Sequence, residues 1–82
     1  MKGFHYVYIL QSAKDPSCYY TGQTEDLKGR LAKHNSGNVP HTNKFKPWTL
    51  KAAIAVRDKL KATALERYLK TASGRAFARK RL

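Results

Sequence analysis

Acidic side chains are what this sequence has least of. Five Asp and Glu stand against 17 Lys and Arg in 82 residues, a formal charge of +12 at pH 7. That shortage leaves no carboxylate cluster of the kind two-metal sites are built on. Cysteine is almost missing: Cys18 stands alone, so no internal disulfide and no multi-cysteine zinc site can form. The pattern suits a reducing, cytoplasmic setting. No apolar run approaches the roughly 20 residues a membrane helix needs. Phe4 to Leu10 is too short for a secretory leader and lacks a small-residue cleavage site. Gly-rich phosphate loops, internal repeats and low-complexity tracts are absent as well.

What is present is positive charge, and on so short a chain it is the footprint expected of a nucleic-acid binder. The bland alternative is a solvated basic surface, ribosomal or membrane-bound. A membrane-surface helix needs a broad apolar face, and the most basic stretch, Arg75 to Arg81, carries only Ala76, Phe77 and Ala78 as apolar residues. The expected partner is DNA, with RNA not excluded and no membrane. The length allows a single domain, 1–82, expected to be monomeric.

Residues 4 to 24 organise the chain. Phe4 to Gln11 and Cys18 to Gln23 are rich in aromatic and β-branched residues and flank the polar break Ser12-Ala13-Lys14-Asp15-Pro16-Ser17, the pattern of a β-hairpin. Period-2 spacing puts Phe4, Tyr6, Tyr8 and Leu10 on one face of the first strand and His5, Val7 and Ile9 on the other. With both faces largely apolar, it reads as a central strand. Thr24 or Asp26 can cap a helix over Asp26 to Asn35 that buries Leu27 and Leu31 and ends at Gly37. Residues 37 to 47, with two prolines and a glycine, read as a polar loop without regular structure. A third strand has Trp48, Leu50, Ala52, Ile54 and Val56 alternating with Thr49, Lys51, Ala53 and Ala55. Asp58 caps a second helix, Lys59 to Thr71, whose apolar face holds Leu60, Ala64, Leu65, Tyr68, Leu69 and Ala72. Ser73-Gly74 break it, and Arg75 to Arg81 read as a short terminal helix. The fold class is α/β, a small three-stranded sheet of hairpin plus one strand, flanked by helices.

Few residues are left to carry chemistry. Glu25, Asp26 and Asp58 are accounted for by helix N-termini, and Asp15 by the hairpin turn. Glu66 remains, at the edge of the second helix's apolar face, where pairing to Arg67 or Lys70 is the ordinary reading. Arg30 and His34 lie four apart on one helical face and could hold a phosphate or simply form an exposed cationic face. Tyr8 and Tyr20 sit on adjacent strands, where a tyrosine is usually core filler. A working phenol has to overcome a reference pKa near 10, and the surrounding cations would favour its phenolate. Lys28 and Lys33 of the first helix, Lys44 and Lys46 of the loop, and Arg75 and Arg79 of the tail are candidate phosphate contacts.

Together these residues resemble the GIY-YIG nuclease superfamily. Its two signature triplets correspond to Tyr6-Val7-Tyr8 and Tyr20-Thr21-Gly22. Arg30, His34 and Glu66 follow in the family's order, and Asn35-Ser36-Gly37 and Ser73-Gly74-Arg75-Ala76-Phe77 look like its small stand-alone bacterial members. The resemblance implies a metal-dependent endonuclease that hydrolyses DNA phosphodiester bonds. Tyr8 would be the general base or help activate the attacking water, and Tyr20 would position that water or the scissile phosphate. Arg30 would stabilise transition-state charge, and His34 would carry a proton or bind phosphate. Glu66 would hold one divalent ion, Mg²⁺ or Mn²⁺. Gly22 would let the backbone pass close to the site.

This sequence departs from the family pattern at Tyr6, Val7 and Thr21. It also lacks the late Asn of many members, whose place Ser73 or Arg75 would have to take. Without an appended DNA-binding domain, cutting is expected to depend on DNA structure and not on sequence. A non-catalytic, basic nucleic-acid-binding module that keeps the fold is the alternative.

Overall fold

A strand with two apolar faces must be covered on both, and that requirement sets the architecture. The computed structural model describes residues 3–82. Strand β1 (His5–Ser12) lies between β2 (Tyr19–Thr24) and β3 (Trp48–Val56) in an antiparallel sheet of order β2-β1-β3. The expected hairpin and central strand are both present. Helices α1 (Leu27–Ser36) and α2 (Pro40–Asn43) lie on one side of the sheet, and α3 (Lys59–Leu69) and α4 (Ala72–Arg81) on the other. The fold is thus the expected three-stranded α/β domain with flanking helices.

Each face of β1 anchors its own core. Val7 and Ile9 pack with Ala62 and Leu69, joined by Val56, Leu65 and Ala78. Tyr8 and Leu10 pack with Trp48, joined by Cys18, Tyr20, Leu27, Leu31 and Phe45. Fully burying side chains of this size stabilises by about 1.5–3 kcal/mol each. The cap at α1 is Asp26, whose carboxylate accepts from the Gly29 amide. Gly37, at φ 86°, ends that helix in the left-handed region as expected. Asp58 caps α3 by accepting from the Leu60 and Lys61 amides.

Four details differ from the sequence reading. Trp48, Leu50, Ala52, Ile54 and Val56 do not share a face. Ile9 pairs with Ala52 but Leu10 pairs with Leu50, so Lys51 is an extra residue that bulges the strand. Trp48 and Leu50 therefore lie with Leu10, whereas Ala52, Ile54 and Val56 lie with Ile9 and Val7. A period-2 pattern cannot register one inserted residue, and Leu50 ends 45% exposed.

The segment read as a loop contains α2. Pro40 stands at the first helical position, where its missing amide costs nothing. In α3 the buried residues are Ala62 and Leu69, with Leu65 packed alongside, while Leu60 and Ala64 are exposed. Positions 62, 65, 66 and 69 are spaced i, i+3, i+4 and i+7, so the inward stripe is narrower than expected and Glu66 falls on it.

The last difference is the helix break. It falls at Lys70-Thr71, and Ser73-Gly74 belong to α4, capped by Thr71 accepting from the Gly74 amide. Gly74 is buried because α4 crosses the end of α3 there. A Cβ on it would stand 1.8 Å from the Tyr68 carbonyl oxygen. Gly74→Ala is therefore expected to destabilise the protein by about 1–3 kcal/mol, read as a lower urea midpoint. Ser73→Ala, on an exposed neighbour, is expected to shift stability by no more than about 0.5 kcal/mol.

Candidate active site

Tyr8 points from the middle of the central strand toward α1, and it is buried. In the hairpin register Tyr8 faces Gly22 and Leu10 faces Tyr20, so the two phenols share a face on adjacent strands. Gly22 makes this possible: a Cβ there would stand 2.5 Å from the Tyr8 hydroxyl. The close approach expected at Gly22 is thus made by the Tyr8 ring itself. Tyr20 packs its ring 4.7 Å from the His34 ring centroid and 6.2 Å from that of Tyr8.

The Tyr8 hydroxyl lies 3.1 Å from His34 Nε2, and His34 Nδ1 lies 2.9 Å from Thr42 Oγ1. Thr42 Oγ1 also lies 3.2 Å from the Val39 carbonyl oxygen, which can only accept. A Thr42 hydroxyl that donates to Val39 accepts from a proton on His34 Nδ1, and in that tautomer Nε2 is bare and accepts from the Tyr8 hydroxyl. Trp48 fixes Thr42 in turn, its indole N–H donating to the Thr42 carbonyl at 2.9 Å. Thr42 carries no signal in the sequence while residues 37 to 47 read as an irregular loop. The usable signal was Pro40 as a helix start, with His41-Thr42-Asn43 forming the single turn that follows.

Burial controls the charge states. It pushes the Tyr8 phenol up to about 12, with Tyr20 adding to the rise and the Arg30 guanidinium opposing it. The expectation that nearby cations favour a phenolate is thereby corrected: desolvation outweighs them. Burial also pulls His34 below 6.5, helped by the charges of Arg30 and His41.

Tyr8, Tyr20, Arg30 and Glu66 line one cleft of about 570 Å³, together with Gly22, Gln23 and Lys59. His34 sits behind Tyr8, buried. Glu66 Oε2 is paired with Lys70 Nζ at 2.7 Å, and Oε1 accepts from Gln23 Nε2 at 3.2 Å. Burial raises the Glu66 carboxyl, but Lys70 and Gln23 more than offset this, and its pKa lies below the usual value. Glu25 and Asp26 also line the cleft. Three of the chain's five acids thus line this cleft.

Among the described residues no three His, Cys, Asp or Glu side chains group as a metal site. Glu66 nevertheless fits a hard divalent ion, being ionised and facing the cleft. One carboxylate suffices when waters and phosphate complete the shell.

The six candidate phosphate contacts do not converge on this cleft. Lys28 borders a crevice with Leu27, Leu31 and Leu50. Lys33, Lys44 and Lys46 are exposed along α1 and after α2, with the Lys44 ammonium 5.2 Å from the Phe45 ring centroid. Arg75 and Arg79 lie across the sheet on α4. Neither Ser73 nor Arg75 reaches the cleft, so neither takes the place of a late Asn there.

Residues 4–81 match the profile of the GIY-YIG catalytic domain. A UPF0213 protein of Halalkalibacterium halodurans is 42% identical over 72 residues, covering 87% of this chain and 74% of its own. A UPF0213 protein of Halobacterium salinarum is 33% identical over 70 residues, covering 84% and 88%. The structure-specific endonuclease subunit slx1 of Talaromyces stipitatus is 39% identical over 56 residues, which is 62% of this chain but only 14% of that protein.

The charge states generate two expected outcomes. Unfolding leaves His34 to protonate near 6.5, whereas the folded state holds it lower. Stability is therefore full above pH 6.5 and falls as the pH drops from 6.5 toward the folded value. Urea melts should show this loss between pH 7.5 and 5, and His34→Gln should diminish it. At the other end, a tyrosinate absorbance step near pH 12 is expected in the parent and should vanish in Tyr8→Phe.

Proposed function

This chain belongs to the GIY-YIG family, and on that premise we propose that it is an endonuclease that hydrolyses DNA phosphodiester bonds with one divalent ion, choosing substrates by DNA structure. The observation that carries the reading is the hydrogen-bonded chain Tyr8–His34–Thr42 at the back of a cleft that also holds Arg30 and Glu66. The name of the slx1 relative supports structure-dependent cutting. This chain spans about one seventh of that relative's length, so the substrate and partners of that protein do not transfer with the domain. The proposed protein acts as a monomer in the cytoplasm, and RNA is a test substrate beside DNA.

A phenol held at about 12 supplies almost no standing phenolate at neutral pH. The base is therefore the pair. As water attacks phosphorus, its proton passes to the Tyr8 oxygen while the Tyr8 proton passes to bare His34 Nε2. The bond from phosphorus to the leaving oxygen breaks, and that oxygen is protonated from solvent. The lowered pKa of His34 keeps it neutral and ready to accept near pH 7. Thr42 holds the tautomer this requires. Tyr20, packed on His34 and facing the cleft, orients the water or phosphate. Arg30 meets the charge that develops on the phosphoryl oxygens. Glu66 would hold Mg²⁺ or Mn²⁺, with waters and phosphate as its other ligands. Such an ion neutralises phosphate charge and polarises the reacting bond.

A binding-only module is the second reading. The observation in its favour is that both Glu66 oxygens are engaged within the protein. The two separate on nicked, flapped and branched DNA, with Mg²⁺ or with chelator. Cutting should require Mg²⁺ or Mn²⁺. It should fall about 10²- to 10⁴-fold in Tyr8→Phe and about 10²- to 10³-fold in Arg30→Ala, and it should be lost in Glu66→Gln. The rate should also decline on acidification as His34 protonates. Cutting by Glu66→Gln at the parent's rate would remove the proposed metal role. Binding of all three DNAs without cutting would leave the module.

A further inference from the structure

A cationic surface also lies outside the cleft. A second groove, of about 650 Å³, runs between α4 and the hairpin end of the sheet. Ile9, Leu69 and Ala78 lie along it, and Lys51, Lys70, Arg75 and Arg79 edge it, with no Asp or Glu among its lining residues. Tyr19 stands in it 46% exposed, with the Lys51 ammonium 5.4 Å from its ring centroid. The Lys51 bulge that splits β3 supplies one of the four cations.

The groove adjoins the cleft across the free edge of β2. Tyr20 borders both, and Lys70 of the groove pairs with Glu66 of the cleft. Acids therefore concentrate at the cleft, whereas Lys51, Arg75 and Arg79 beside it make no ion pair among the described residues.

We propose that this groove holds a single nucleic-acid strand that runs on from the cleft, its phosphates on Arg75, Arg79 and Lys51 and a base against Tyr19. The assignment rests on the nuclease reading for its continuity with the cleft. Its chemistry stands on the groove alone. A polyanion suits three unpaired cations, a fourth shared with Glu66, and a lining without acids. A duplex hides its base faces, whereas a single strand offers them to an exposed ring and an apolar floor. The structure chosen at the cleft is then one with an unpaired strand, such as a flap.

The test is fluorescence polarisation of a short labelled single-stranded oligonucleotide, in chelator so that nothing is cut, across a salt series. Arg75, Arg79 and Tyr19 are exposed, so substitution there spares the fold. Arg75→Gln with Arg79→Gln should lower the slope of log Kd against log salt by about 1.4, two contacts at roughly 0.7 each. Tyr19→Ala should weaken binding by about fivefold or more while leaving affinity for a polyphosphate of equal charge unchanged. Ser73→Ala, exposed and outside both groove and cleft, should bind the oligonucleotide as the parent does. Unchanged affinity and salt slope in the groove variants would overturn the assignment. So would displacement of the strand by polyglutamate as readily as by unlabelled oligonucleotide, which marks an acidic-peptide site. If the parent cuts nothing yet the groove effects appear, the nuclease reading falls and the strand site stands.

Discussion

The arrangement depends on one close approach, the Tyr8 phenol lying over Gly22. Any side chain at Gly22 would occupy the place of the Tyr8 hydroxyl, so the strand pairing itself decides where that oxygen sits. From there it meets His34, which α1 presents from the same helical face as Arg30, and His34 meets Thr42. The chain of hydrogen bonds runs from the central strand through α1 to α2 and is closed by the Trp48 indole. Three elements are thus tied at one buried polar line, β1 to the neighbouring helices α1 and α2. Burial makes each link costly to leave unpaired, which is also what keeps the phenol and the imidazole neutral.

The sheet separates two kinds of surface. Polar groups converge on the cleft at one end of the β1–β2 pair, where Arg30 and Lys59 are balanced by Glu25, Asp26 and Glu66. The surplus of positive charge lies elsewhere, in part on α4 and at the Lys51 bulge. A net charge of +12 favours a polyanion, but only the fold shows that several of the cations line a groove beside the cleft and not the cleft itself. The Glu66–Lys70 pair spans the boundary.

Much of the frame was legible in the sequence. The two apolar faces of Phe4 to Leu10 implied a central strand, Asp26 and Asp58 marked helix starts, and Gly37 marked a helix end. Tyr8, Tyr20, Arg30 and Glu66 were singled out from spacing and family resemblance, and the fold brings them around one cleft. What escaped detection depended on single residues acting against a pattern. One inserted residue at Lys51 reversed half of β3. Pro40 begins a turn of helix although a proline reads as excluding one, and Thr42 lies in that turn. Gly74 served close packing and not a break. The phenolate expectation failed because net charge is a property of the whole chain, whereas desolvation is local to Tyr8.

The proton relay is the centre of this account, and the tautomer of His34 is its most exposed element. The most direct measurement is the pair of ¹⁵N ring shifts of His34 near pH 7.5. The relay requires a protonated Nδ1 and a bare Nε2, with Thr42→Val mixing the two tautomers. A proton on Nε2 in the parent would leave that nitrogen unable to accept from Tyr8, and would contradict the mechanism whatever the enzyme's activity.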